Sequence, residues 1–183
     1  MLEPVNKGND DLSEVPTGQQ VDSLLKLKKG LIKSLSWSEK SGNYSPICYQ
    51  YYSAGDLDNG SILEGVGIRA MWRESPIEGV QPKYNFAMHM GNHRVLAFDF
   101  DWRGEHKNKV GRGLPYYNQK VRGPHKHLWA EGKYGYAEPL DELIISRDIS
   151  GHWQHFCDEA NIIKNNEFSS PYFDENSGQG RLL

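Results

Sequence analysis

The sequence has little of what usually assigns a chain to a class. It contains only two cysteines, Cys48 and Cys157, in no metal-binding or redox spacing, which predicts two buried thiols, with a structural disulfide as the alternative. No apolar run approaches the roughly 20 residues that cross a bilayer. The first twenty residues lack the apolar core of a signal peptide. These absences predict a cytoplasmic protein with no membrane partner.

The net charge is small, and the common sequence motifs are absent. The net charge of the 183 residues is only -3 at pH 7, so any attraction to nucleic acid or anionic lipid must be local. The sequence has no P-loop, no G-x-G-x-x-G, no G-x-S-x-G and no C-x-x-C. The commonest nucleotide-binding, hydrolase and redox motifs therefore give no guide to function.

Periodicity predicts one domain between two polar ends. Residues 1–19 indicate a flexible leader and residues 166–183 a polar tail, which leaves a domain over 20–165. Apolar residues at a spacing of 3.6 predict a helix over 20–35 and another that starts near Ser146 or Asp148. Alternating and β-branched segments predict strands at 47–53, 61–72, 84–90, 93–102, 124–131 and 135–140. The expected fold is α+β, with an antiparallel sheet of about five strands flanked by an N-terminal and a C-terminal helix.

The segment from Arg103 to Lys126 departs most from the average composition. It carries seven of the chain's 21 basic residues and one acid, Glu105. Basic groups neutralise phosphates and aromatic faces stack on unpaired bases, so this segment predicts a surface for RNA, single-stranded nucleic acid or an acidic protein. The alternative is a solvated loop that happens to be basic. The candidate binding residues are Arg103, Lys107, Lys109, Arg112, Tyr116, Tyr117, Lys120, Arg122, Lys126 and Trp129.

Two histidines, His125 and His127, follow this loop as an H-x-H pair. On a strand, residues i and i+2 point to the same face, so the two imidazoles would stand side by side. Such a pair can act as general base and general acid in RNA cleavage, with neighbouring arginines and lysines holding the phosphate. The alternative is two ordinary polar residues on a sheet face.

A metal site is a further interpretation of the same histidines. Asp99 and Asp101 also share one face of a predicted strand. If that strand pairs with 124–130, two carboxylates and two imidazoles converge on a site for Mn²⁺, Fe²⁺ or Zn²⁺. Otherwise the aspartates form an acidic rim and the protein needs no cofactor. His152 and His155, on the last predicted helix, are expected on its solvated surface.

The stretch LAFDFDWRGEHKN…GPHKHLWAEGKYGYAEPLD resembles a family of small bacterial and prophage proteins with a P-H-x-H-x-W-x-E-G signature. More distantly it resembles the TumE-like toxins of toxin–antitoxin modules, which also place an acidic strand end before a P-H-x-H strand. The likeness implies a toxin-like or RNA-directed protein of a mobile element. The residues that carry it are Asp99, Asp101, Gly104, Pro124, His125, His127, Trp129, Glu131, Gly132, Ala137, Pro139 and Leu140.

These observations leave three functional hypotheses open. The first is an RNA-directed, toxin-like protein, such as a nuclease that uses His125 and His127 beside the basic loop. The second is a non-catalytic phage or prophage inhibitor of host defence that binds a protein or nucleic-acid complex through residues 103–123, since tyrosine and arginine dominate interface hot spots. The third is a metal-dependent enzyme. An antitoxin or a host defence complex is the protein partner that the first two imply.

Overall fold

The computed structural model describes residues 15–34, 37–40, 47–130, 132–164, 168 and 171. Three helices lie in this part of the chain: α1 (Gly18–Lys26), α2 (Glu142–Ile145) and α3 (Ile149–Glu159). The strands are β1 (Lys29–Ser34), β2 (Ser38–Lys40), β3 (Ile47–Asp56), β4 (Ile62–Arg73), β5 (Lys83–Met90), β6 (His93–Phe100), β7 (Glu105–Lys107), β8 (Lys120–Arg122), β9 (His125–Ala130), β10 (Lys133–Pro139) and β11 (Ile162–Lys164).

The expected α+β fold with a five-stranded antiparallel sheet and two flanking helices is wrong. Nine strands form one sheet in the order β10-β9-β6-β5-β4-β3-β1-β11, with β2 also paired to β3, and the sheet curls into a half-barrel. Because β1 and β11 run parallel, the sheet is mixed rather than antiparallel. The described chain is mostly β, and its three helices are short.

The predicted helix over 20–35 is wrong in its second half, which forms strand β1. Thr17 caps α1 through a reciprocal capping box with Gln20, but the helix stops at Lys26. The buried Lys29 then donates its Nζ to the carbonyls of Leu24 and Leu27, at 2.5 and 2.6 Å, and satisfies the helix end. The chain continues as β1, because its short apolar run fits a strand between β3 and β11 as well as it fits a helical stripe.

The core lies between α3 and one face of the sheet. Asp148 caps α3, as predicted, and its side chain accepts a hydrogen bond from the Gly151 amide. Trp153 and Phe156 of α3 pack against Phe86 in the centre of the sheet. Burying each of these large side chains contributes about 1.5–3 kcal/mol. Since neighbouring residues of a strand point to opposite faces, the alternate residues form a second face away from α3, called here the open face.

The central strands confirm the sequence interpretation. The predicted hairpin over 84–102 is β5 and β6, and the strands predicted over 124–131 and 135–140 are β9 and β10, although β11 follows them. The supposed long loop after Arg103 is not structureless, because β7 and β8 pair as a two-stranded ribbon. The two cysteines are buried thiols. No helix in the described ranges has the length and apolar character needed to cross a membrane.

The predicted domain limits of 20 and 165 remain a prediction. Residues 1–14 of the expected leader lie outside the described residues. So does the tail, apart from Phe168 and Pro171. Phe168 is buried against Phe86 and Trp153, so this part of the expected tail belongs to the core.

Candidate functional site

Strand register brings the candidate site together on the open face. Asp99 of β6 lies directly opposite His125 of β9, and Asn85 of β5 lies directly opposite Asp99. His127 stands two residues along β9, on the same face as His125. The FDFD strand therefore does pair with the H-x-H strand, which is the condition on which the metal interpretation depended.

The side chains of Asp99, His125 and His127 converge on one point. The Nε2 atoms of the two histidines are 3.0 Å apart. The Asp99 Oδ2 atom is 2.9 Å from Nε2 of His127 and 3.7 Å from Nε2 of His125. Both imidazoles are buried, and the carboxylate is partly buried. We refer to these three side chains as the triad.

Neighbouring groups fix how the triad points. The Gly123 carbonyl can only accept, so Nδ1 of His125, 2.7 Å away, carries a proton, and Nε2 is the ring nitrogen that faces the triad. The Asn85 amide donates to Asp99 Oδ1 and to the Phe98 carbonyl, and so turns Oδ2 towards the histidines. Such outer hydrogen bonds are how proteins orient metal ligands. His127 has no such support, because its buried Nδ1 has no partner among the described residues.

Two titratable groups of the triad, Asp99 and His127, are held in the protonation state that binds a metal ion. Burial alone would raise the pKa of Asp99, but the hydrogen bond and charge of His127, with Arg94 and His125, bring it below its usual value. Burial lowers the pKa of His127, and this outweighs the opposing effect of Asp99. An ionised carboxylate and a neutral imidazole are therefore the forms present at neutral pH.

The triad fits a divalent ion. Two ligands bound at about 2.1 Å stand roughly 3.0 Å apart at a right angle and about 3.4 Å apart at the tetrahedral angle. The three observed separations, 2.9, 3.0 and 3.7 Å, span these values. Two histidines and one carboxylate form a ligand set used by Fe²⁺, Mn²⁺ and Zn²⁺ enzymes. Three protein ligands leave positions for water or substrate, which distinguishes catalytic sites from closed structural ones. The Asp99, His125 and His127 group could therefore bind a metal.

Asp101, the fourth predicted ligand, is not brought to the triad. It follows the end of β6, where the chain turns away from the sheet. Its carboxylate instead lies 2.7 Å from the Lys83 Nζ and accepts a hydrogen bond from the Arg103 amide. Its role is to fix the turn that leads into the ribbon.

A cleft of about 440 Å³ opens beside the triad. Its walls include Arg69, Arg94 and Tyr134, and the guanidinium of Arg94 lies 4.0 Å from the centre of the Tyr134 ring. Within the described residues, no carboxylate lies within 4 Å of either arginine. Asp101 and Glu105 also line the cleft, but the two guanidinium groups have no carboxylate in direct contact and are therefore available to an anionic ligand.

His106 of the ribbon forms another wall of the cleft. Its ring centroid is 4.7 Å from that of His127, and its Nε2 donates to the Gly135 carbonyl at 2.7 Å. That hydrogen bond occupies the nitrogen, and His106 is not part of the possible metal-binding group. The β7–β8 ribbon thus covers one side of the triad.

The predicted basic binding residues are divided between the two sides of the molecule. Most lie on the ribbon and the loop that joins its strands, where the cationic side chains are exposed. Lys120 and Arg122 share Glu105, at 2.6 and 3.0 Å. Lys126 lies instead on the α3 face, 2.8 Å from Glu159, and Trp129 packs against the core. Of the remaining candidates, Arg103 precedes the ribbon, and Lys107, Lys109, Arg112, Tyr116 and Tyr117 lie on β7 or in the loop that joins it to β8.

The expectation that His152 is solvated is wrong. It is buried in α3, accepts a hydrogen bond from the Tyr84 hydroxyl at 2.6 Å and donates to the Ile144 carbonyl at 2.8 Å. Both ring nitrogens are thereby satisfied in the neutral form. His155 is only partly exposed and lies 3.5 Å from Glu159. Neither histidine lies in the cleft.

Sequence reasoning missed Asn85, Arg69, Arg94, His106 and Tyr134. For Asn85 a signal existed, because a polar residue in the middle of the apolar strand YNFAMHM needs a buried partner. The two arginines lie on β4 and β6, and only the sheet order shows that they face the same cleft.

Comparisons with protein-family models, curated proteins and solved structures found no match to this chain. The resemblance to the P-H-x-H-x-W-x-E-G proteins and to the TumE-like toxins therefore remains a prediction from the sequence.

Proposed function

We propose that the protein is a divalent-metal-dependent phosphodiesterase that acts on RNA, consistent with a toxin-like role on a mobile element. The observation that carries this proposal is the convergence of Asp99, His125 and His127, whose ligand atoms lie close enough to hold one ion, beside a cleft lined by Arg69 and Arg94. Asp99, His125 and His127 would hold a divalent ion, which would supply an activated water and polarise a phosphoryl oxygen.

The separation of the two imidazoles favours a metal over direct acid–base catalysis. In an in-line displacement the attacking and leaving oxygens stand on opposite sides of phosphorus. A general base and a general acid must each lie within hydrogen-bond distance of one of those oxygens. Two Nε2 atoms 3.0 Å apart leave no room for a phosphoryl group between them. The histidines act together as ligands in this proposal, and not as a base and an acid.

The cleft residues supply the remaining requirements. Arg69 and Arg94 would hold phosphate oxygens, because guanidinium groups donate paired hydrogen bonds to such anions. Asn85 keeps the Asp99 carboxylate turned towards the triad. The exposed lysines and arginines of the ribbon add a positive surface beside the same cleft, which favours a polyanionic substrate.

The first test measures metal content and cleavage in the same preparation. Purified protein is analysed for bound metal by mass spectrometry and then incubated with RNA and with single-stranded DNA, with and without EDTA. We expect about one divalent ion per chain and RNA cleavage that EDTA abolishes and added Mn²⁺, Fe²⁺ or Zn²⁺ restores. Cleavage by metal-free protein would refute the metal mechanism and return the histidines to acid–base roles.

Variants of the triad separate a catalytic role from a structural one. Asp99→Asn and His127→Gln should lose the ion and the cleavage while circular dichroism shows the native fold. His155→Gln, which changes a histidine outside the cleft, is the matched control and should keep both. A stoichiometric ion without cleavage of any nucleic acid would disprove the phosphodiesterase and leave only a metal site.

The ribbon favours one alternative, a non-catalytic inhibitor of a host defence complex. Leu114 and Tyr117 are exposed in the loop between β7 and β8, next to cationic side chains, as in an interface that binds an acidic protein. In that case Lys107→Glu with Lys109→Glu would abolish the biological activity, whereas Asp99→Asn would leave it unchanged. The opposite result supports the phosphodiesterase.

A further inference from the structure

A second groove lies on the open face, beside the cleft. It has a volume of about 490 Å³, and its walls include Tyr51, Gly67, Arg69 and His89. Gly67 lies opposite Ser53 on β3 and His89 on β5, so the absence of a side chain there leaves a gap in the surface. A Cβ atom at Gly67 would meet only the Tyr52 carbonyl, at 3.9 Å, so the gap is open space.

Two tyrosines form a flat aromatic surface at the edge of this groove. Tyr49 and Tyr51 stand on the same face of β3, with ring planes 20° apart and centroids separated by 6.4 Å. The side chain of Tyr51 is exposed, although a tyrosine ring gains by burial. The guanidinium of Arg69 lies 5.9 Å from the centre of the Tyr49 ring. A pair of nearly parallel rings, one exposed and one partly buried, beside a cation suits a ligand that alternates flat rings with anions.

Arg69 connects the groove with the cleft. It lines both, and its Nε is buried without a partner among the described residues. In the sheet a single row runs from Tyr51 through Arg69, Ala87 and Ala97 to His127. The two alanines are fully buried and line neither space, so Arg69 is the residue of this row that joins the groove to the cleft. With neighbouring strands about 4.8 Å apart, this row is roughly 19 Å long.

We propose that the open face is a binding track for single-stranded RNA, in which Tyr49 and Tyr51 stack on bases and Arg69 binds the phosphate between them and the triad. This inference rests on the proposed function, because the triad would then meet the phosphodiester at one end of the track. Single strands expose the bases that such a surface needs, whereas a duplex keeps them paired. Arg69 and Arg94 support the assignment, since no carboxylate among the described residues lies within 4 Å of either guanidinium and both are available to phosphate oxygens.

The test measures binding apart from cleavage. A fluorescein-labelled octauridylate is titrated with protein in EDTA, and anisotropy gives Kd. Tyr51→Ala removes a stacking ring, and Gly67→Leu fills the groove without a contact closer than 3.9 Å at its Cβ. We expect each to weaken binding on the order of tenfold, the effect of one lost base–aromatic contact. Gly18→Leu, at a helix start where a Cβ meets nothing within 4 Å, is the control and should bind like wild type.

The outcomes separate the track from the metal chemistry. Unchanged octauridylate binding by both groove variants, or no binding by wild type, would overturn the track, whatever the metal content and cleavage. Weakened binding by both supports the track even if the protein holds no ion and cleaves nothing. Uridine monophosphate is the second probe. It can fill only one position and should bind far more weakly than the octamer, whereas equal affinities would overturn an extended track.

Discussion

The hydrogen bonds of Asn85 allow the sharpest test of the metal centre. Asn85 donates to the Asp99 carboxylate and to the Phe98 carbonyl, but it does not touch the proposed ion position itself. Replacing Asn85 with alanine removes both donors and frees the carboxylate to rotate away from the histidines. Losing such a supporting hydrogen bond typically lowers metal affinity about 10–100-fold.

Stability must fall as well, so the assay needs a control that loses stability alone. An acceptor left unpaired costs about 1–3 kcal/mol. For a domain of this size that corresponds to a melting temperature lower by roughly 2–12 °C. Asn108 is also buried, and it donates to the Tyr116 and Ala137 carbonyls at 2.9 and 2.8 Å without a hydrogen bond to any triad side chain. Asn108→Ala should therefore destabilise the fold without changing metal affinity.

The measurement is a competition titration with a fluorescent zinc chelator, alongside thermal melts in EDTA. We expect Asn85→Ala to shift both quantities and Asn108→Ala to shift only the melting temperature. Equal metal affinities for wild type and Asn85→Ala, in protein shown to be folded, would refute the argument that Asn85 orients the Asp99 ligand.

Two further predictions concern pH and salt. Burial lowers the pKa of His152. Burial, with the charges of Arg69 and Arg94, lowers the pKa of His89 to about 4. Below about pH 6.5 the folded state therefore binds fewer protons than the unfolded state. The free energy of unfolding, measured with urea, should be constant above that pH and fall as the pH drops from about 6.5 to about 4. The His152→Gln variant should show a smaller fall. The same pH profile for the variant and wild type would contradict a contribution from His152. If Lys107 and Lys109 each contact a phosphate, replacing both with glutamine should reduce the slope of log affinity against log salt by roughly 1.4, and an unchanged slope would remove them from the interface.

The part of the site that the sequence predicted depends on two local rules. Side chains two residues apart on a strand share a face, which paired His125 with His127 and placed Asp99 on one side of its strand. The remaining assumption was that these two strands are neighbours, and the observed register confirms it. Asp101 obeyed the same rule in sequence, but the strand ends before it, so the rule no longer applied.

The fold was harder to predict because its errors lie where local patterns are ambiguous. The segment after Lys26 has too few apolar residues to distinguish a strand from a helix by period alone. Its partners, β3 and β11, decide the matter, and β11 is a three-residue strand far along the chain. The ribbon was missed for a related reason, because two strands of three residues give almost no alternating pattern.

The parallel pairing of β1 with β11 has a consequence for how the protein is made. The Lys29 amide donates to the Asn161 carbonyl at 2.9 Å. During synthesis β1 therefore cannot complete its hydrogen bonds until the β11 segment, more than a hundred residues later, has been made. At about 5–20 residues per second, synthesis takes on the order of ten seconds to span that gap. During this time β1 can pair with β3 but presents an unprotected sheet edge, and such edges invite pairing with other chains. A chain that stops before β11 should therefore be prone to aggregation, even though it contains β6 and β9, the two strands that carry the triad.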